Sequence, residues 1–148
     1  MKTQFKKFQT LSIEELYAVL KLRTDVFVVE QDCPYPELDN KDQVAVHAMG
    51  MNGNQLGAYS RIFGPGDYFD DHAAIGRIAT HEHHRGHGLG RLIILHSISF
   101  IKSIYGENTS IKIAAQSHLE NFYASLDFKK SSEEFLEDGI PHIFMIHP

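Results

Sequence analysis

The sequence predicts a mixed α/β domain of the α+β type. Antiparallel N-terminal strands, a β-α-β-α core and a C-terminal hairpin share a central sheet with helices on both faces. Three observations predict it. Apolar, strand-like runs at 44–50 and 55–63 flank Asn52-Gly53, a pair that tolerates the positive φ of a tight hairpin. The run from Leu89 to Tyr105 is too apolar for a helix with one wet face, which makes it a long helix buried against a sheet. Strand-like stretches at 73–80 and 110–116 bracket that helix.

Taken in order, residues 4–9 read as a short first strand. Ser12 and Glu15 have the spacing of a capping box, in which hydroxyl and carboxylate satisfy helix-end N–H groups, and Leu16, Leu20 and Phe27 extend the helix over 13–29. Pro34 and Pro36 forbid regular helix, so 31–43 is a long extended loop. The hairpin follows, then a Gly/Pro/Asp loop at 64–72 and the strand at 73–80. Gly106 ends the long helix. After the strand at 110–116 come a short helix at 118–126 and a closing hairpin, whose arms 128–136 and 140–146 flank Glu137-Asp138-Gly139. One domain over 1–148 accounts for the whole chain.

Composition narrows the function classes. With 43% hydrophobic and 22% charged residues the chain is ordinary for a globular domain. Its net charge of −5 argues against a nucleic-acid partner, whose phosphates favour a basic face. A single cysteine, Cys33, excludes an internal disulfide, and neither a signal-like apolar run nor a membrane-length one is present. The expected location is the cytoplasm, with no membrane partner. The apolar strand 140–146 is a candidate homodimer edge.

The stretch "HEHHRGHGLG" (81–90) holds four of the ten histidines and three glycines. His83 and His87 have the i, i+4 spacing of a helical zinc pair. Gly86 and Gly88 stand where that helix would be, each costing about 1 kcal/mol relative to alanine, and no further ligand cluster completes a site. No metal is expected. Between a strand and a helix, Arg85-x-x-Gly88-x-Gly90 instead suits an anion. Glycines let consecutive N–H groups point at phosphate oxygens, the helix adds its positive end, and Arg85 or Arg91 adds charge. A P-loop is excluded because no Gly-Lys-Ser/Thr follows, and a Rossmann fingerprint because Arg91 replaces the third glycine.

With "AQSHLENFYASLDF" downstream, this turn resembles the GNAT superfamily of N-acetyltransferases. The strings "VFVVEQDCPY" and "LEDGIPHIFM" make the chain similar, nearly end to end, to the ElaA-like branch of that superfamily. The resemblance implies a GNAT-like sheet and an acyltransferase using acetyl-CoA. The pyrophosphate would lie on Arg85, Gly86, His87, Gly88, Leu89, Gly90 and Arg91. The pantetheine arm would run beside Ile78, Ala79 and Thr80, and Gln116 occupies the position of the family's frequent Asn. Asp127-Phe128 departs from the family's usual Gly-Phe.

The resemblance also implies direct attack of an amine on the thioester in a ternary complex. Backbone N–H groups near Ile78 would polarise the carbonyl, and Tyr123 would act as general acid toward the leaving thiolate. A base must deprotonate the amine. Glu30 and His142, which lie in the ElaA-like strings, are the first candidates, and His47 and Glu82 the others. Glu37, Asp39, Asp42, Glu137 and Asp138 could attract a cationic acceptor, which is expected to be a small-molecule or peptide amine. Cys33 has no basic sequence neighbour to activate it as a nucleophile. Two other functions stay open: a non-catalytic CoA-binding module, and an acyl-homoserine-lactone synthase. Arg23, Phe27, Asp39, Asp42, Arg61 and Arg77 are similar to the synthases, but Ala74 stands where they carry an acid, and the chain has no tryptophan.

Overall fold

Ser12 opens the first helix as its spacing to Glu15 predicts. In the computed structural model, which describes residues 1–148, Glu15 N donates to Ser12 Oγ at 3.0 Å and Ser12 N donates to Glu15 Oε1 at 2.8 Å. The helix, α1 (Ile13–Thr24), then widens into a π-helical turn over Asp25–Glu30, one residue past the predicted limit of 29. Cys33 N closes the wide geometry by donating to the Val28 carbonyl at 3.0 Å, five residues back. Pro34 and Pro36 follow and keep the loop out of helix.

The strands are β1 (Lys2–Lys7), β2 (Val46–Asn52), β3 (Gln55–Phe63), β4 (Ala73–Thr80), β5 (Ile111–Gln116), β6 (Lys129–Lys130), β7 (Phe135–Glu137) and β8 (Ile140–His147). They form one sheet in the order β1-β2-β3-β4-β5-β8-β6, with β7 also paired to β8. Every pairing is antiparallel except β4 with β5. The other helices are α2 (Leu89–Tyr105) and the short α3 (Glu120–Ala124).

β3, β4 and α2 have the predicted limits. β1 lies two residues earlier than 4–9, because Phe8–Thr10 turn as a 3-10 helix toward α1. β2 starts later than 44, because Asp42–Val44 form another such turn. The segment predicted as one helix over 118–126 divides into a 3-10 turn, Ser117–Leu119, and α3. The predicted strand 128–136 is broken in two. Lys130 pairs with Met145 and Phe135 with His142, so five steps face three. Ser132 bridges the slack, its Oγ accepting from Phe144 N at 2.9 Å.

Side-chain alternation places a helix on each face. Ala48, Ala58 and Ile62 pack with Ile93, Ile94 and Ile101 of α2 in the larger core, while their neighbours Met49 and Tyr59 pack with Val19, Leu22 and Val26 on the α1 side. No helix is long and apolar enough to cross a membrane.

The feature that positions the site is the junction of β4 and β5. They pair only at Ala73–Ile111 and Ala74–Lys112. Just beyond, β4 bulges: Arg61 opposes Gly76 and Tyr59 opposes Ala79, so three steps on β4 face two on β3. Arg77, inside the bulge, has φ 49°. Past this point nothing on β5 pairs with β4, and a cleft of about 210 Å³ opens between residues of the two strands.

Candidate active site

Tyr123, His142, Phe27, Cys33, Tyr35, Ile78 and Gln116 line that cleft. Tyr123 is held edge-on between Phe122 (centroids 5.2 Å apart) and Phe128 (5.9 Å). Its side chain is 7% exposed, and its hydroxyl has no hydrogen-bond partner within the chain. Burial pushes its pKa up to about 12. The phenol therefore stays protonated and free to donate into the cleft.

His142 sits opposite Gln116 across the β5–β8 pairing. Its Nδ1 lies 2.7 Å from the Ile140 carbonyl, an acceptor, so Nδ1 carries a hydrogen and Nε2 is the nitrogen left for other partners. Nε2 is 3.5 Å from Glu137 Oε2. Gln116 Nε2 donates to Gln31 Oε1 at 3.4 Å, tying the end of β5 to the end of the π-helical turn.

Glu30 is elsewhere. Its carboxylate grips Arg85, with Oε2 2.7 Å from Arg85 Nη1 and Oε1 2.8 Å from Nη2, and it is not part of the cleft wall. Arg85 also donates to the Thr80 carbonyl through Nε (3.2 Å) and Nη2 (3.1 Å). Arg91 is likewise engaged, with Ser125 Oγ at 2.9 Å and the Ser125 carbonyl at 3.3 Å. Glu82 is exposed beside His83. His47 is fully buried away from the cleft. Its Nε2 donates to the Asp42 carbonyl (2.9 Å), its Nδ1 accepts from Tyr59 Oη (2.7 Å), and burial lowers its pKa, as befits a neutral structural ring.

The glycine turn leads with backbone. Gly86 and Gly88 have φ 84° and 74°, and a Cβ at either would meet nothing within 4 Å, so their faces open outward. Gly88 caps α2 in the left-handed conformation without any side-chain cap, and the first intrahelical bond is Leu92 N to the Gly88 carbonyl at 3.0 Å. The N–H groups before it are therefore unspent and gathered at the positive end of a seventeen-residue helix. Gly90 lies against Thr80, a Cβ there falling 3.4 Å from Oγ1. Leu89 anchors the turn in the core, and His87 is exposed. Ala79 is buried toward α1. The histidines serve other ends: His84 binds Asn52 and Gln55 at the hairpin, and His81 Nδ1 accepts from His83 N. No group of three or more His, Cys, Asp or Glu is placed to hold a metal ion.

Three members of the acidic group expected to attract a cation are already paired. Arg23 binds Glu37 (2.7 Å) and Asp42 (2.8 Å), Arg61 binds Asp39 and Asp42 (2.8 Å each), and Arg77 binds Glu37 (2.8 Å). Burial alone would raise the pKa of Asp39, but the Arg61 guanidinium outweighs it and holds that pKa at about 2. Charges taken out of water need such partners, so these carboxylates are structural. Only Glu137 and Asp138 face the cleft without an arginine. Sequence reasoning missed Phe27, Tyr35 and Arg77 as cleft residues, since they reach it through the π-helical turn, the long loop and the bulge. Asp127, where the family's glycine is missing, keeps a left-handed backbone at φ 70°, a conformation aspartate tolerates better than most residues.

Residues 25–147 match the acetyltransferase (GNAT) domain family. ElaA of Escherichia coli is 38% identical over 137 residues, covering 91% of this chain and 88% of that protein. The crystal structure of E. coli ElaA matches the fold over 100% of both chains with a TM-score of 0.91 and 34% identity. An acyl-CoA N-acyltransferase from Pseudomonas aeruginosa matches with a TM-score of 0.93 and 37% identity over 99% of both chains. The AHL synthase LasI shares the fold alone, with a TM-score of 0.76 and 11% identity over 98% of this chain and 88% of that one. The chain belongs to the GNAT acetyltransferase family, among ElaA-like relatives, and is an acyltransferase.

Proposed function

We propose that the chain transfers an acetyl group from acetyl-CoA to an amine acceptor, by direct attack within a ternary complex. The observation that carries this reading is the meeting of three features at one place. They are a strand edge left unpaired beyond the β4 bulge, an uncapped glycine turn at its end, and a protonated, unpartnered Tyr123 facing it across the cleft. The residues present fit the group: open glycine faces and unspent N–H donors suit a pyrophosphate, and the β4 edge suits an amide-bearing arm added like a strand. When bound, acetyl-CoA supplies an activated acyl carbon on a thiolate leaving group.

The chain does the rest. Backbone amides hold the anionic end, because Arg85 and Arg91 are spent on Thr80, Glu30 and Ser125. N–H groups at the β4 bulge near Ile78 donate to the carbonyl oxygen as it gains charge. His142 Nε2 takes a proton from the incoming ammonium, directly or through one water, since an amine attacks only when neutral. As the C–S bond breaks, Tyr123 gives its proton to the departing sulfur, and the proton that the acylated nitrogen loses in becoming an amide returns to the phenolate. Glu30 is left as the partner of Arg85.

The test is turnover of acetyl-CoA against a panel of primary amines, with acetylated product and free CoA both measured by mass spectrometry. Amine-dependent formation of both in equal amounts supports the reading. Free CoA without any acetylated amine contradicts it.

A further inference from the structure

The cleft does not end at Arg77. A second cavity of about 80 Å³ shares Ile75, Gly76, Arg77, Ala114 and Glu137 with it, and continues along the α1 side of the sheet to Phe63, Tyr68 and Phe69. The three rings form a cluster, Phe63–Tyr68 at 5.0 Å and Tyr68–Phe69 at 4.9 Å between centroids. Tyr68 and Phe69 sit on the loop between β3 and β4 rather than in the main core.

The charges are distributed unevenly along this groove. At the Tyr123 end, Glu137 and Asp138 have no arginine or lysine partner. At the aromatic end, each ring already carries a cation of the chain: Arg61 lies 5.1 Å from the Phe63 centroid, Lys41 5.7 Å from Tyr68 and Lys112 4.7 Å from Phe69. Arg61 is neutralised by Asp39 and Asp42, so the unpaired cations of the aromatic end are Lys41 and Lys112, which repel an ammonium while Asp138 and Glu137 attract one. A flat apolar group fits the second end, stacking where cations already polarise the rings.

We infer that the acceptor is an aralkylamine: a primary ammonium held by Glu137 and Asp138 beside His142, joined by a short alkyl link to an aromatic ring lodged among Phe63, Tyr68 and Phe69. This rests on the N-acyltransferase reading and narrows it to a substrate class. A linear polyamine is disfavoured, because its second ammonium would fall beside Lys41 and Lys112, which have no carboxylate partner, unlike Arg61 and Arg77. An α-amino acid is disfavoured too, because its carboxylate would meet Glu137.

The experiment compares 2-phenylethylamine with n-butylamine, spermidine and phenylalanine as acceptors with acetyl-CoA, using the whole chain and the Tyr68→Ala and Tyr68→Leu variants. Calorimetric titration of each amine into the CoA-saturated protein accompanies the kinetics. The expected result is a kcat/KM for 2-phenylethylamine at least about tenfold above the other three. Tyr68→Ala and Tyr68→Leu should erase that preference through a raised KM for 2-phenylethylamine. Equal or better use of spermidine, n-butylamine or phenylalanine overturns the inference and leaves the acyltransferase reading standing. So does a preference that survives in a folded Tyr68 variant. If no amine is acetylated, the acyltransferase reading fails and calorimetry decides the groove: tenfold tighter binding of 2-phenylethylamine that needs Tyr68 upholds it, and its absence overturns it.

Discussion

Arg77 Nε lies 2.8 Å from Glu37 Oε2, the same oxygen that Arg23 Nη2 approaches at 2.7 Å. One buried carboxylate thus joins three parts of the fold: α1, the loop 31–43 and the bulge of β4. The cleft wall that carries Cys33 and Tyr35 is pinned to the strand that carries the bulge. Tyr35 reinforces the link, its hydroxyl donating to the other Glu37 oxygen at 2.6 Å.

Removing one member of this network should cost more than any surface pair in the chain. Arg23 is wholly buried and leaves Glu37 and Asp42 short of positive charge when replaced. Arg23→Met is expected to lose about 3–5 kcal/mol of unfolding free energy in urea denaturation. Glu30→Gln, which breaks only the half-exposed Arg85 pair, should lose less than about 1 kcal/mol. Comparable losses for the two would contradict the network's structural role.

The same network sets a pH response. Asp39 has a folded pKa of about 2 against an ordinary 3.8, so its contribution is complete above pH 4 and disappears as pH falls toward 2. The melting temperature should drop steeply over that window, and less steeply in Asp39→Asn. An unchanged acid limb in Asp39→Asn would assign the loss to other carboxylates.

Gly88→Ala separates folding from ligand binding. Its φ of 74° charges alanine about 1–2 kcal/mol of strain, yet the added Cβ touches nothing in the free chain. The variant should fold with a modestly lower melting temperature while its Kd for CoA rises at least about tenfold, since the new methyl would project into the open face of the turn that the pyrophosphate is proposed to occupy. Unchanged CoA affinity would remove the turn from the binding site.

Tyr123→Phe should lower kcat by about a hundredfold or more with KM for acetyl-CoA nearly constant, because the ring stays packed against Phe122 and Phe128. Since burial raises the phenol to about 12, wild-type kcat should show no loss of this acid between pH 9 and 11. His142→Ala should lower kcat, whereas Glu30→Gln should leave it nearly unchanged.

Much of this geometry could be read in one dimension. β3 begins after Asn52-Gly53, the 64–72 loop separates β3 from β4, and α2 ends at Gly106, because turn chemistry and apolar runs are local properties. The glycine turn was legible for the same reason. The fate of Glu37, Asp39 and Asp42 was not: their partners stand up to forty residues away, as with Arg77 and Glu37, and only the folded sheet brings them together. The broken strand at 128–136 hid likewise, because Ser132 makes its bridging bond to Phe144 through a side chain that reads as ordinary strand surface. Glu30 and His142 stand alike in the sequence as candidate bases; in the fold Glu30 pairs with Arg85 while His142 lines the cleft, a difference no local pattern carries.

The most direct test is a crystal structure of the chain with acetyl-CoA bound. The pyrophosphate should lie on the backbone N–H groups of Gly86–Gly90, the pantetheine arm beside β4 from Gly76 to Thr80, and the sulfur within hydrogen-bond reach of Tyr123 Oη. Acetyl-CoA bound away from the β4–β5 opening, or a sulfur remote from Tyr123, would contradict this placement.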